Sequence, residues 1–379
     1  MFFDWPLLGS AAQAAGWGLI AVPTAWVARK APRRALIAGG LSAGGAGLAM
    51  WLGHAIPELA IGSVAVVTFA ASVKRWRHVV LVPALVAGAL IIANTQLRLY
   101  PTIRAAVTTP TYVSYADLSA AGGAADKTAD SSVLTQVQLG PGRPADVYLP
   151  ANYLNGDTPP VVILMHGIPG YPQQWMDMGA VPSTFDLFAA EHGGRAPVIV
   201  SVDVTGSDTA NPGCMGWVDT MLREDLPGEI LGKFHVDPNT STWVLGGLSY
   251  GGTCALHVAT VAPDTYGGYI DMSGEENLNV GSEQETVDKL FDGDENAYRA
   301  NNPADLMKAR TYPGLNVQFY VGKNDATYKP GLQRLFALAQ QAGMNTTWEE
   351  IPGGHDWGVW RQALIEATPF IEKIGGFTR

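Results

Sequence analysis

The chain has 379 residues, with 24 Lys and Arg against 34 Asp and Glu and a net charge of −10. At roughly 100–200 residues per domain it is long enough for more than one unit. Its acidic balance excludes nucleic acid as the natural partner, because such a protein needs a basic surface.

The charges are unevenly spread. Residues 1–100 hold eight basic side chains and two acidic ones, and the remainder hold 16 and 32. Apolar runs at about 7–28, 35–53, 57–73 and 79–97 read as a four-helix transmembrane region, since a bilayer core takes about 20 apolar residues. Arg29, Lys30, Arg33 and Arg34 lie between the first two runs, and Lys74, Arg75 and Arg77 between the last two. With basic loops kept in the cytoplasm, both clusters agree on one topology. The expectation is a multi-pass cell-membrane protein whose C-terminal part is extracytoplasmic. The first run lacks a basic leader and three more follow, which argues against a cleaved signal peptide.

Two stretches contain Gly-x-Ser-x-Gly, "GGLSAGG" at 39–45 and "GGLSYGG" at 246–252. Ser42 falls inside an expected span with no β-rich run before it. There Gly39, Ala43 and Gly47 recur every four residues, a spacing that lets membrane helices approach closely. Ser42 is therefore read as a decoy.

Residues 101–131, rich in Ala, Thr, Ser, Gly and Pro, read as a linker. From 132 to 379 the texture changes. Expected strands lie at 133–139, 145–149, 161–165, 198–202, 242–245, 269–272, 316–321 and 346–350. Helical patterns lie near 173–192, 220–233, 250–262, 285–309, 329–343 and 356–373. An opening strand pair followed by β-α alternation implies a mostly parallel eight-stranded sheet with helices on both faces.

Ser249 has the setting that Ser42 lacks. "TWVL" reads as a strand and residues 253–262 as a helix, with Gly247 and Gly251 easing the reversal that lifts a serine hydroxyl above the sheet. A serine needs a base, and this fold orders nucleophile, acid and histidine along the chain. His355, in "GGHDWGVW", follows the last strand. Asp325, in "GKNDATYK", follows the strand before it and is placed to accept the second imidazole N–H; Glu275 and Glu276 are the alternative acids. Asp356 is too close in sequence to His355 to serve. Oxyanion donors are assigned to the N–H of Tyr250, after the nucleophile, and of Ile168 in "MHGIPG". His166 in the same loop is read as structural.

Cys214 and Cys254, the only cysteines, are expected to form a disulfide outside the cytoplasm. Trp175, Met176, Met178, Trp217 and Trp357 are candidates for the acyl side of a cleft, and 275–302 for its cover. No Cys/His clustering suggests a metal, and no cofactor is expected.

"VVILMHGIPGYPQQW", "LREDLPGEI", "WVLGGLSYGGTCALHVA", "LFDGDENAYRANNPADL" and "GGHDWGVWRQAL" together resemble the putative-esterase branch of the α/β-hydrolases. That branch includes esterase D, feruloyl and enterochelin esterases and mycolyltransferases. The resemblance covers about residues 160–370 and leaves out the N-terminal part. It implies acyl-ester chemistry through an acyl-enzyme on Ser249, with His355 activating the acceptor. Placed after four spans, such a module looks like an actinobacterial envelope enzyme. The expected substrate is then an acyl ester of a lipid or glycolipid, such as acylated trehalose. The rivals are an acyltransferase of the same fold, a catalytically inert membrane scaffold and a serine peptidase.

Overall fold

A computed structural model describes residues 10–29, 84, 86–91, 112–120 and 132–377. The chain divides into two compact units, Met1–Thr109 and Pro110–Arg379.

In the first unit a helix runs Ser10–Ala28. Gly88 lies so close to it that a Cβ there would come within 2.7 Å of the Gly16 carbonyl oxygen. The expected transmembrane region must be corrected: among the described residues, no helix is long and apolar enough to cross a membrane. The reason is compositional. The 19-residue helix is long enough, but much of it is Ala, Gly, Ser and Thr with a Gln at 13, side chains that bring little apolar surface. The multi-pass placement and the extracytoplasmic catalytic domain fall with it. The spans expected at 35–53 and 57–73, with Ser42 and its glycines, lie outside the described residues. Of the span at 79–97, only 84 and 86–91 are described.

In the second unit, part of the expected linker packs on the sheet domain. Tyr112 bridges Leu134, and a short helix follows at Tyr115–Ala120. The Tyr115 hydroxyl donates to the Lys233 carbonyl at 2.8 Å.

Eight strands form one sheet: β1 Val133–Val137, β2 Ala145–Leu149, β3 Val161–Met165, β4 Val198–Val202, β5 Val244–Leu248, β6 Gly268–Met272, β7 Asn316–Gly322 and β8 Asn345–Ile351. Their order is β1-β2-β4-β3-β5-β6-β7-β8. β1 pairs antiparallel with β2, and β2 antiparallel with β4; the other pairings are parallel. β3, β4, β5 and β6 are buried along their whole length. That explains their largely apolar texture, because helices cover both faces of a parallel sheet.

Three long helical patterns are divided. The break in 173–192 falls at Ala180, whose φ is +55°, and the break in 356–373 precedes Pro369. The pattern at 285–309 becomes three helices, Glu283–Leu290, Glu295–Arg299 and Pro303–Ala309. Asp292 and Gly293, both at positive φ, and Pro303 cannot continue a helix.

Chain order reverses around β3, which has β4 on one side and β5 on the other. In open α/β sheets the crevice outside the carboxyl ends of such strands is where ligands bind. Register sets Leu164 beside Gly246 and Met165 beside Gly247, so the loops leaving β3 and β5 start side by side.

Candidate active site

The turn after β5 is built by close approach. A Cβ on Gly247 would lie 2.5 Å from the Gly251 backbone, and one on Gly251 would lie 2.5 Å from the Met165 carbonyl oxygen. Those contacts hold the start of the helix Tyr250–Val261 against the end of β3. Between them Ser249 takes φ +51° and ψ −120°. For a side-chain-bearing residue this is a costly conformation, of the kind that gathers at functional sites.

Two more loops converge on that serine. A Cβ on Gly322, the last residue of β7, would lie 2.0 Å from the Gly354 carbonyl oxygen. Glycine there lets the loops after β7 and β8 meet. His355 Nε2 lies 2.9 Å from Ser249 Oγ, and His355 Nδ1 lies 2.8 Å from Asp325 Oδ2. The other Asp325 oxygen accepts the Tyr328 backbone N–H at 3.0 Å. Burial pushes the Asp325 carboxyl up, but hydrogen bonds from the His355 ring and the Tyr328 and Thr327 backbone outweigh it and hold the group below its ordinary range.

The imidazole is gripped on two sides. Tyr328 stacks on it at a centroid distance of 4.1 Å, and Trp360 meets it edge-on at 4.9 Å. Asp356 accepts from the Gly354 and Val359 backbone N–H groups, capping the next helix and shaping the loop that carries His355. Of the alternative acids, Glu276 is engaged by Arg334. Glu275 is half-buried, and burial raises its carboxyl.

The expected oxyanion donors belong to segments that meet at the serine. The N–H of Tyr250 belongs to the first turn of its helix, where no intrahelical acceptor exists. Ile168 follows Gly167, and a Cβ on Gly167 would lie 3.2 Å from Ser249 Cβ. The bond from Ile168 to Pro169 is cis.

Cys214 and Cys254 are joined in a disulfide with Cα atoms 5.2 Å apart. The Cys214 N–H also donates to the Tyr250 hydroxyl at 2.9 Å, so the loop after β4 is tied twice to the helix that begins at the nucleophile. Trp175 is wholly buried and Met176 nearly so; both belong to the packing rather than to a cleft wall. Trp175 meets Trp357 edge-to-face at 5.4 Å. Trp217 and Met178 are half-buried. In the expected cover, Asn279 accepts from Asn211 and Leu290 sits against Gly213. Among the described residues, no group of three His, Cys, Asp or Glu side chains is arranged to hold a metal.

Sequence reasoning missed Asp271. It is fully buried at the end of β6, receives the Gly274 N–H at 2.8 Å and leaves Oδ2 without a partner. Burial raises its carboxyl to about 7, partly offset by that N–H. A carboxyl whose folded pKa exceeds the unfolded value of about 3.9 stabilises the fold fully below that value and loses the contribution as pH rises towards 7. Asp271→Asn removes the loss. Its gain over wild type is expected to grow between pH 4 and pH 8, adding on the order of 10 °C to Tm at the upper end, since a carboxyl moved from about 3.9 to about 7 costs ~4 kcal/mol and each kcal/mol is worth roughly 2–4 °C. Melting curves at both pH values check this; a gain independent of pH would overturn it.

Comparison with known proteins agrees with this architecture. The Putative esterase family profile matches residues 137–371. An uncharacterised protein of Corynebacterium glutamicum is 40% identical over 320 residues, covering 77% of this chain and 74% of its own. The iron(III) salmochelin esterase of Escherichia coli is 26% identical over 210 residues, 53% of this chain and 48% of that enzyme. A ferulic acid esterase structure superposes with a TM-score of 0.53 at 19% identity, over 65% of this chain and 99% of its own. An S-formylglutathione hydrolase from Agrobacterium tumefaciens gives 0.53 at 17%, over 65% and 95%. At such identities the structural likeness speaks to the fold alone.

Proposed function

This chain belongs to the putative-esterase family and is a carboxylic-ester hydrolase, and we propose that it works through an acyl-enzyme formed on Ser249. The observation that carries the reading is one continuous chain of hydrogen bonds, Ser249 Oγ to His355 Nε2 and His355 Nδ1 to Asp325, ending on a serine held at positive φ.

In the first half-reaction Ser249 Oγ attacks the ester carbonyl carbon while His355 Nε2 takes its proton. Asp325 accepts the Nδ1–H and stabilises the imidazolium. Negative charge on the former carbonyl oxygen is met by the N–H groups of Tyr250 and Ile168. Collapse breaks the bond to the alcohol oxygen, which leaves with the proton from His355. In the second half-reaction His355 removes a proton from water, the hydroxide attacks the acyl carbon, and the acid departs as the proton returns to Ser249.

Water as the acceptor is supported by exposure: the His355 side chain is 26% open to solvent. The finer expectation, an acylated glycolipid such as acylated trehalose, leaned on a membrane tether. Without that tether it rests on the resemblance to the mycolyltransferase members, and it enters the assay as one substrate among several. The test is product analysis with short p-nitrophenyl acyl esters and acylated sugars, with and without a sugar acceptor. Free acid is expected as the main product in every case. Acyl transfer outrunning acid release overturns hydrolysis in favour of a transferase, and cleavage of peptides without ester turnover overturns the ester reading.

A further inference from the structure

His166 is completely buried at the end of β3. Its Nε2 lies 3.0 Å from Asp203 Oδ1 and its Nδ1 lies 2.8 Å from the Gly167 carbonyl oxygen. The Gly167 carbonyl oxygen can only accept, so the proton it receives sits on Nδ1, and Nε2 faces the Asp203 carboxylate. Asp203 is itself heavily held. It receives the Arg143 backbone N–H at 2.7 Å and the Arg143 guanidinium on both oxygens. Thr205 and Gly206 add backbone donors. Arg143 Nη2 also donates to the Gly170 carbonyl at 2.8 Å. The two carbonyls that bracket Ile168 and Pro169 are thus held by one network, anchored beyond the ends of β3 and β4.

Peptide geometry gives this a consequence. In a planar trans peptide the C=O of one residue and the N–H of the next point to opposite edges. The Gly167 carbonyl is turned to His166, so the Ile168 N–H is turned the other way, in a loop whose Gly167 lies against Ser249. Gly170 closes the arrangement from outside, where a Cβ would lie 2.4 Å from the Gly167 carbonyl oxygen and 2.9 Å from His166 Nδ1.

We propose that His166 is a positioning residue for ester hydrolysis: by binding the Gly167 carbonyl it fixes the Gly167–Ile168 peptide so that the Ile168 N–H meets the oxyanion, while Asp203 and Arg143 hold the ring and the far end of the loop. The proposal rests on the acyl-enzyme reading above. It gives His166 no proton transfer and no contact with substrate.

Two substitutions separate positioning from bulk packing. In His166→Asn the side-chain amide stands near the place of Nδ1 and can still donate to the Gly167 carbonyl, but Asp203 loses its ring partner. In His166→Gln the amide stands near the place of Nε2 and keeps Asp203 satisfied, but the Gly167 carbonyl is released. Positioning predicts that the Gln variant loses kcat by about 10²–10³-fold, the range for a missing oxyanion donor, with KM changed less than about threefold. Its affinity for a trifluoromethyl ketone, which forms a tetrahedral oxyanion on the serine, is expected to fall in parallel with kcat. The Asn variant is expected to keep kcat within about tenfold of wild type although its Tm falls further. Packing alone predicts the reverse order, with activity following Tm, and that result overturns the role of His166. A wild-type enzyme that turns over no ester and takes no fluorophosphonate label at Ser249 overturns the acyl-enzyme reading, and this proposal with it.

Discussion

Ser249→Ala is expected to lower kcat on a short acyl ester on the order of 10⁶-fold while Tm stays within a few degrees of wild type. The change removes one oxygen from a side chain that is already nearly buried, and alanine has the same backbone freedom at φ +51° as serine. What disappears is the proposed attacking atom, because His355 Nε2 then has no Ser249 hydroxyl to deprotonate. His355→Ala should cost about as much, and the double variant little more than either alone, since groups acting as one unit lose their joint effect together. Fluorophosphonate labelling should vanish in Ser249→Ala and persist in Ser42→Ala. Retained labelling or turnover in Ser249→Ala removes the proposed nucleophile.

Asp325→Asn should cost about 10⁴-fold in kcat, the size of loss seen when a triad imidazole is forced into the wrong tautomer. The hydrogen bonds show why an isosteric amide fails here. The Tyr328 N–H donates to Asp325 Oδ1, which keeps that limb an oxygen when the residue becomes an amide. The other limb, facing His355 Nδ1 at 2.8 Å, becomes NH2. Two donors cannot face each other, so Nδ1 must turn acceptor and the imidazole proton moves to Nε2. There it faces Ser249 Oγ and can no longer accept the serine proton. Loss of kcat with little change in KM is the expected signature. Asp325→Asn in the Ser249→Ala background should add almost nothing. A full second penalty in that background would show that Asp325 acts elsewhere, and near-normal kcat in the single variant would return Glu275 to consideration as the acid.

Much of this was legible in the residues themselves. Strand positions follow from short runs rich in β-branched residues such as Val161–Met165 and Val198–Val202, which suit a strand buried on both faces. Ser249 stands out because a glycine-flanked serine sits between such a run and a helix. His355 follows from the order in which this fold delivers its loops, which also narrows the acid to Asp325, Glu275 or Glu276. These are local signals, read over a few residues, and local backbone preference determines them.

The N-terminal reading went wrong for a related reason. Absence of charge is not apolarity: about half of Ser10–Ala28 is Ala, Gly and Ser, and uncharged small residues carry too little hydrocarbon to make that helix a membrane span.

Other features depend on atoms brought together from distant parts of the chain, and only the tertiary structure decides them. Arg143, His166 and Asp203 lie on or beside three different strands, and nothing in "GRPAD", "MHGIPG" or "SVDV" announces that they meet. Parallel pairing of β3 with β4 aligns the last two, and antiparallel pairing of β2 with β4 brings Arg143 to the same edge. The choice of Asp325 over Glu275 is of the same kind. Both carboxylates leave strands at the same rim, and the sheet order with the contact of Gly322 and Gly354 determines which one reaches the imidazole. Sequence alone settled which residue types stood at the rim, because that is set by strand ends. Which of them touch is a matter of a few ångströms, set by packing across the whole sheet.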